Sequence, residues 1–282
     1  MKRAVSVSLG SSKRDKAVEV KLLDEMVSIE RIGTDGDMEA AALKYKELDG
    51  IVDAFGVGGA DLGVLVDKKW YPLYSVNPMV RFIKKTPVVD GTGLKTNLES
   101  KSAAFLDAHI KDYINERGRK AFIMTGVDRW GLASCFENAG YECIFGDLMF
   151  SLGIPIALHS TKSLKILAAL LMPVAGRLPF AWIYPTGEKQ EERKPKHVDK
   201  FHWATVTAGD CHYIKRYMPD DMQGKVIVTN TTTPVLEGRS FGTNMMESAL
   251  IAISGKKRPL TDAEYSDLLA QLKFEPQIQE LN

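Results

Sequence analysis

Three stretches gather the residue types that do chemistry. Val88–Glu99 (VVDGTGLKTNLE) sets Asp90 and Lys95 around a glycine turn. Oxidising an alcohol to a ketone needs a base for the hydroxyl proton, and a lysine of depressed pKa, positioned by a carboxylate, could serve. Lys68, Lys69, Lys84 and Lys85 are rival lysines, and the plain alternative is a solvated turn with a surface lysine. Ala121–Asp147 (AFIMTGVDRWGLASCFENAGYECIFGD) runs from a strand through Gly126 and Gly131 into a helix, then through a second strand to Asp147. That is the layout of a dinucleotide-binding βαβ unit. The first glycine permits a tight turn, the helix N-terminus accepts pyrophosphate, and an acid about 20 residues on holds the ribose hydroxyls. Asp128 stands where the middle glycine would be, with Arg129 beside it, and a carboxylate there repels phosphate. The alternative is an ordinary strand-turn-helix. In Ala204–Thr233, one strand ends in Gly209-Asp210 and the next in Asn230, Thr231 and Thr232. Ligands of open α/β sheets bind at such strand ends.

Lesser candidates surround these. Glu188–Lys200 is a charged loop, read either as solvated or as a lid whose Arg193, Lys194 and Lys196 meet an anionic substrate. Gly238–Glu247 opens a helix at Thr243 or Asn244, with Arg239 beside it as a possible anion site. Of the scattered histidines, His212 follows Asp210 at a strand end. No HExxH or GxxxxGK[ST] occurs, which disfavours zincins and P-loop NTPases. Cys135, Cys143 and Cys211 form no CxxC pair or zinc-like cluster, and no metal site is expected.

The Asp90-Gly91-x-Gly93-Leu94 segment, followed by Leu98-Glu99, resembles the segment that precedes the nucleotide domain in shikimate and quinate dehydrogenases. Val88-Val89 stands where that group has Asn-Thr, and its upstream lysine motif and N-terminal substrate loop are absent. Residues 204–233 similarly resemble the second half of the Rossmann domain in the shikimate and methylene-tetrahydrofolate dehydrogenases. The resemblance implies an NAD(P)-dependent oxidoreductase. Asp90 would act with a lysine at the substrate's reacting hydroxyl, and the nucleotide would lie along Gly126, Asp128, Arg129, Gly131, Asp147, Gly209, Asp210 and Asn230–Thr232. A carboxylate at Asp147 favours NAD over NADP.

The elements that must position these residues are α/β. Strands are expected at Ala4–Leu9, Ala17–Leu22, Val27–Ile32 and Ile51–Val57, the first two joined hairpin-fashion, with a helix over Met38–Leu48 capped by Asp35 or Asp37. Residues 58–99 show no long element. A connector helix, Ala103–Arg117, leads to strands Lys120–Thr125, Tyr141–Phe145, Ala204–Thr207 and Val226–Thr229, with helices Leu132–Ala139, Tyr213–Tyr217, Phe241–Ser254 and Asp262–Leu272. The expected fold is a smaller N-terminal α/β substrate domain over residues 1–100, then a Rossmann-like parallel-sheet domain with C-terminal helices over 101–282.

Composition bounds the function. The 282 residues carry 37 Lys+Arg against 36 Asp+Glu, a formal charge of +1. A balanced chain is a poor general binder of nucleic acid and no polybasic membrane protein. Hydrophobic residues make up 45%, enough for a core. Leu164–Tyr184 is apolar but broken by Lys165, Pro173, Arg177 and Pro179, so it reads as a buried helix and a strand, with no integral membrane span. The N-terminus lacks a signal-peptide core, and a cytoplasmic location follows as the expectation. The leading function is hydride transfer between a nicotinamide cofactor and a small, hydroxylated, anionic substrate, with a homo-oligomer left open. The alternatives are a transferase using a nucleotide-sugar or adenosyl cofactor, and a non-catalytic nucleotide-binding sensor.

Overall fold

Alternation sets the first sheet. Lys2–Ser8 (β1, KRAVSVS) turns Val5 and Val7 to one layer and Ala4 to the other. The computed structural model describes residues 1–179, 193–230 and 242–280. Lys16–Leu22 (β2), Glu25–Gly33 (β3), Ala54–Gly58 (β4) and Val88–Val89 (β7) join β1 in the order β2-β3-β1-β4-β7. Only β2 runs antiparallel to its neighbour. The expected hairpin of β1 with β2 is therefore corrected: β2 pairs with β3, and β1 takes parallel β3 and β4 on its two sides. Alternation marks a strand but says nothing about its partner.

Met38–Leu48 (α1) starts at Asp37, whose carboxylate accepts from the Ala40 amide, and buries Ala41 and Tyr45 on the Val5–Val7 face. The opposite face is covered from far along the chain. Thr243–Ser254 (α10) and Asp262–Gln271 (α11) pack Ala249, Leu250 and Leu269 on Ala4, Val27 and Ile29. The C-terminal helices, read as part of the second domain, thus complete the first sheet. Small residues make room for this. A Cβ on Gly56 would lie 2.7 Å from the Asn244 carbonyl, and the Asn244 side chain donates to Ser6 Oγ at 2.6 Å.

Residues 58–99 hold more structure than expected. They form the hairpin Gly63–Val66 (β5) and Lys69–Pro72 (β6), the turn Asn77–Val80 (α2), β7, and the helix Thr92–Asn97 (α3). Ser102–Glu116 (α4) then connects to the second sheet.

That sheet is all parallel. Lys120–Ile123 (β8), Glu142–Phe145 (β9), Val206–Gly209 (β10) and Val226–Thr229 (β11) lie in the order β9-β8-β10-β11. Trp130–Asn138 (α5), α4 and Leu164 of Thr161–Ala175 (α7) cover one face. Val198–Trp203 (α8) and Cys211–Tyr217 (α9) cover the other through Phe201 and Ile214, with Met149 of Asp147–Ser151 (α6). The two-domain α/β expectation holds. The chain leaves β8 on one side and returns to β10 on the other, so a crevice opens at the C-terminal ends of β8 and β10.

One reading of Leu164–Tyr184 changes. The helix α7 is present, but it buries only Leu164 and Ala168, while Ile166, Leu170 and Val174 point outward at 54, 69 and 64% exposure. The strand expected after it lies outside the described residues, as do Thr231, Thr232 and Arg239. Among the described residues no helix is long and apolar enough to cross a membrane.

Candidate active site

The residues read as chemical do converge, at the seam between the two sheets. Asp90 follows β7, and its carboxylate accepts from the Thr92 amide at 3.0 Å and the Leu62 amide at 2.7 Å. It thereby ties the first residue of α3 to the turn after β4. Gly91 stands at φ +103°, and a Cβ there would meet Thr243 Oγ1 at 2.6 Å, so the turn requires glycine. The Gly93 amide donates to Glu247 Oε1 at 3.1 Å, seating α3 on α10. Glu247 also accepts from the Tyr265 hydroxyl, and burial pushes its carboxyl up to about 7.

This seating aims Lys95 into the seam. Its ammonium donates to Asp61 Oδ1 and Asp128 Oδ1, each at 3.0 Å. Asp61 comes from the turn after β4 and Asp128 from the loop after β8, so the amine joins both sheets. A small cleft lined by Val64, Thr92, Lys95, Asp128 and Trp130 opens beside it. Burial disfavours the ammonium, but Asp128 and Asp61 outweigh burial and hold Lys95 well above the ordinary lysine range. The expected lysine of depressed pKa is corrected on this point: Lys95 rests protonated.

The two flanking carboxylates are pushed apart. Burial raises Asp61 to about 6, with Lys95 opposing and Asp128 and Asp90 adding repulsion. Asp128 suffers burial too, but Lys95 and Arg129 outweigh it and keep its carboxyl below the usual range. Two carboxylates with separated pKa values are the ordinary basis for assigning a proton acceptor and a fixed charge.

Next to Asp128, Arg129 is sealed, with only 3% of its side chain exposed. It pairs with Glu99 and, at 2.9 Å, with Asp210 Oδ2, and its Nε lies 3.8 Å from Asp128 Oδ2. Asn230 donates to the same Asp210 oxygen at 3.4 Å. The His212 amide donates to the other Asp210 oxygen. Burial raises the Glu99 carboxyl, against the pull of Arg129. This cluster fills the crevice between β8 and β10.

The residues proposed for the nucleotide therefore have other work. Asp147 accepts from the Gly126 amide at 2.9 Å and the Val127 amide at 2.8 Å, the groups that would face a pyrophosphate. A Cβ on Gly126 would meet Leu164 at 2.6 Å, and one on Gly131 the Lys95 carbonyl at 3.0 Å, so these glycines serve packing of α7 and of the domain seam. Gly209 packs against Met124. With Asp128 and Asp210 presenting carboxylates beside an already engaged loop, this crevice does not fit a dinucleotide phosphate. Arg193 pairs with Asp220 at 2.6 Å, while the Lys194 and Lys196 amides donate to the Arg216 and Tyr217 carbonyls. These contacts lay the segment along the end of α9.

Residues 93–234 and 231–281 match the model of a domain of unknown function, DUF8754, together covering more than half of the chain. The chain belongs to the DUF8754 family. Residues 3–90 match a second domain of unknown function, DUF8753. No curated protein and no solved structure matches the chain. The junction of the two matches falls in the Asp90–Gly93 turn. The DUF8754 part supplies Lys95, Glu99, Asp128, Arg129 and Asp210, and the DUF8753 part supplies Asp61 and Asp90. Lys95 is thus bonded across the boundary between them.

Asp61 and Glu99 escape the sequence reading. Asp61 had a signal, an acid just past the Gly58-Gly59 pair at a strand end, where sheet ligands bind. Glu99 had none, since its role depends on an arginine 30 positions away.

Proposed function

We propose that this chain is an enzyme moving protons on a small hydroxylated or carbonyl-bearing substrate in the Lys95 cleft. The observation that carries the reading is the Lys95 ammonium held between two unequal carboxylates. A lysine has three N–H donors, and Asp61 and Asp128 take two. The third has no acceptor among the described residues and can serve a substrate oxygen. Asp61, at about 6, is ionised at neutral pH and accepts a proton from a substrate O–H or from a C–H beside a carbonyl. The negative charge that develops on the substrate oxygen falls to Lys95, whose own charge Asp128 keeps fixed. The reading needs no nucleotide, and the pairing of Arg129 with Glu99 and Asp210 at the crevice supports this.

Solvent exchange tests it without knowledge of the net reaction. Purified protein in D2O, incubated with a panel of small hydroxy and oxo acids, should move deuterium into at least one of them, as read by mass spectrometry. Asp61→Asn and Lys95→Met should abolish that exchange. Exchange that survives Asp61→Asn contradicts the assignment. Saturable fluorescence quenching by NADH in the same preparation would return the protein to hydride transfer.

A further inference from the structure

Away from the seam, a second concentration of charge lies at the end of β1. The loop Gly10-Ser11-Ser12-Lys13-Arg14-Asp15 leaves the middle of a mostly parallel sheet at its C-terminal edge, where such sheets hold ligands. A Cβ built on Gly10 would lie 2.5 Å from Arg14 Nη2 and 2.8 Å from Arg31 Nη2. The two guanidinium nitrogens are therefore no more than about 5.3 Å apart, the sum of those distances. Only a residue without a side chain lets them converge there.

Arg31 is a fixed group. It donates to Asp15 Oδ1 at 2.8 Å, to the Ser11 carbonyl at 3.0 Å and to Ser8 Oγ at 3.1 Å. Asp35, the other nearby acid, accepts from the Ser12 amide and hydroxyl. Arg14 has neither a side-chain hydrogen bond nor an ion pair among the described residues, and its guanidinium faces a like charge. Such a pair repels unless an anion lies between. Ser8 adds a second indication. It is 5% exposed, and its oxygen accepts from the Gly10 amide and from Arg31, each at 3.1 Å. Its hydroxyl hydrogen has no acceptor among the described residues and is free to donate outward.

We propose that Arg14, Arg31 and Ser8 form an oxyanion subsite that takes the carboxylate or phosphate group of the substrate. This deepens the reading above by naming the substrate class, and its substrate part rests on that reading. The two places are close. A Cβ on Gly59 would lie 3.3 Å from the Gly10 amide, and Asp61 is two residues beyond, at most about 7.6 Å from Gly59 between Cα atoms. The loop that carries the arginines and the turn that carries Asp61 thus meet through their backbones. Two guanidinium nitrogens no more than about 5.3 Å apart suit the bidentate recognition that arginine gives carboxylate and phosphate.

The test is calorimetric titration of the full chain with inorganic phosphate and, separately, acetate, at constant ionic strength. Wild type should bind at least one of them saturably. Arg14→Ala should weaken that binding about tenfold or more, with the ligand-free melting temperature unchanged, because Arg14 supports nothing else. Arg14→Lys should keep part of the affinity, and Asp61→Asn should keep all of it. Equal affinity in wild type and Arg14→Ala, or no saturable binding of either anion by wild type, overturns the subsite. Anion binding without deuterium exchange would leave the subsite standing and remove the proton-transfer reading. Exchange indifferent to Arg14→Ala would do the reverse.

Discussion

Two cations from neighbouring parts of the seam differ in what they leave open: Lys95 sits between two carboxylates and Arg129 among three. Lys95 is 11% exposed, lines a cleft and has an N–H to spare. One of its partners, Asp61, titrates near 6. Arg129 is 3% exposed and joins Glu99 to Asp210, with a guanidinium that does not titrate. Under the proposed function the first centre holds a movable proton, whereas the second is a permanent brace. Asp128 touches both and transmits the rigidity of the second to the first.

The contrast breaks most visibly at Arg129. Arg129→Ala strands Glu99 buried without its counter-charge, which should cost about 3–5 kcal/mol. At roughly 2–4 °C per kcal/mol for a chain near this size, the melting temperature should fall on the order of 10 °C. A fall of only a degree or two would mean that the brace is not structural. Gly93→Ala comes next. Its Cβ would lie 2.3 Å from the Tyr265 ring and 2.4 Å from Glu247 Oε1, so α3 must lift from α10, at about 1–3 kcal/mol in denaturant unfolding. Unchanged stability would show that Lys95 is not held through this contact.

pH sharpens the comparison more gently. Asp61 and Asp147 are raised to about 6 and Glu247 to about 7, each first by burial. Between about pH 4 and 7 the folded chain keeps protons that the unfolded chain has released, so stability falls as pH rises through that window. Asp128 and Asp210 are shifted the other way, and their contribution is lost only as pH falls below the ordinary carboxylate range. Urea unfolding should give greater stability at pH 5.5 than at pH 8, and the reverse order would contradict the burial of these carboxyls. The smallest effect is expected from Asp61→Asn at pH 8. Removing the charge of half-buried Asp61 while Lys95 keeps Asp128 should leave the melting temperature equal or slightly higher. A loss of several degrees would make Asp61 a brace like Glu99.

Much of the scaffold was legible because its signals are local. Met38–Leu48 matches the expected helix, and Val226–Thr229 the expected strand. Lys95, Asp128, Arg129, Asp210 and Asn230 were legible as strand-end or turn polar residues, and they do meet. What was not legible depended on partners distant in the chain. Asp90 and Asp147 look like reacting acids in sequence, but each is occupied by two amides, and only the folded loops bring those amides in. Asp61 reaches Lys95 across 34 positions. Nothing in the apolar run of residues 243–254 says that its partner is the sheet begun at residue 2.

The proposed chemistry turns on Asp61 having a raised carboxyl beside Lys95 while Asp128 and Asp210 stay charged. Carbon-13 NMR of the aspartate carboxyls across pH 3 to 8 reads this directly. Two aspartate carboxyls, those of Asp61 and Asp147, should show midpoints near 6, and one of the two signals should be absent in Asp61→Asn, while Asp128 and Asp210 stay ionised above pH 4. An Asp61 signal that titrates at or below the ordinary aspartate value would contradict it.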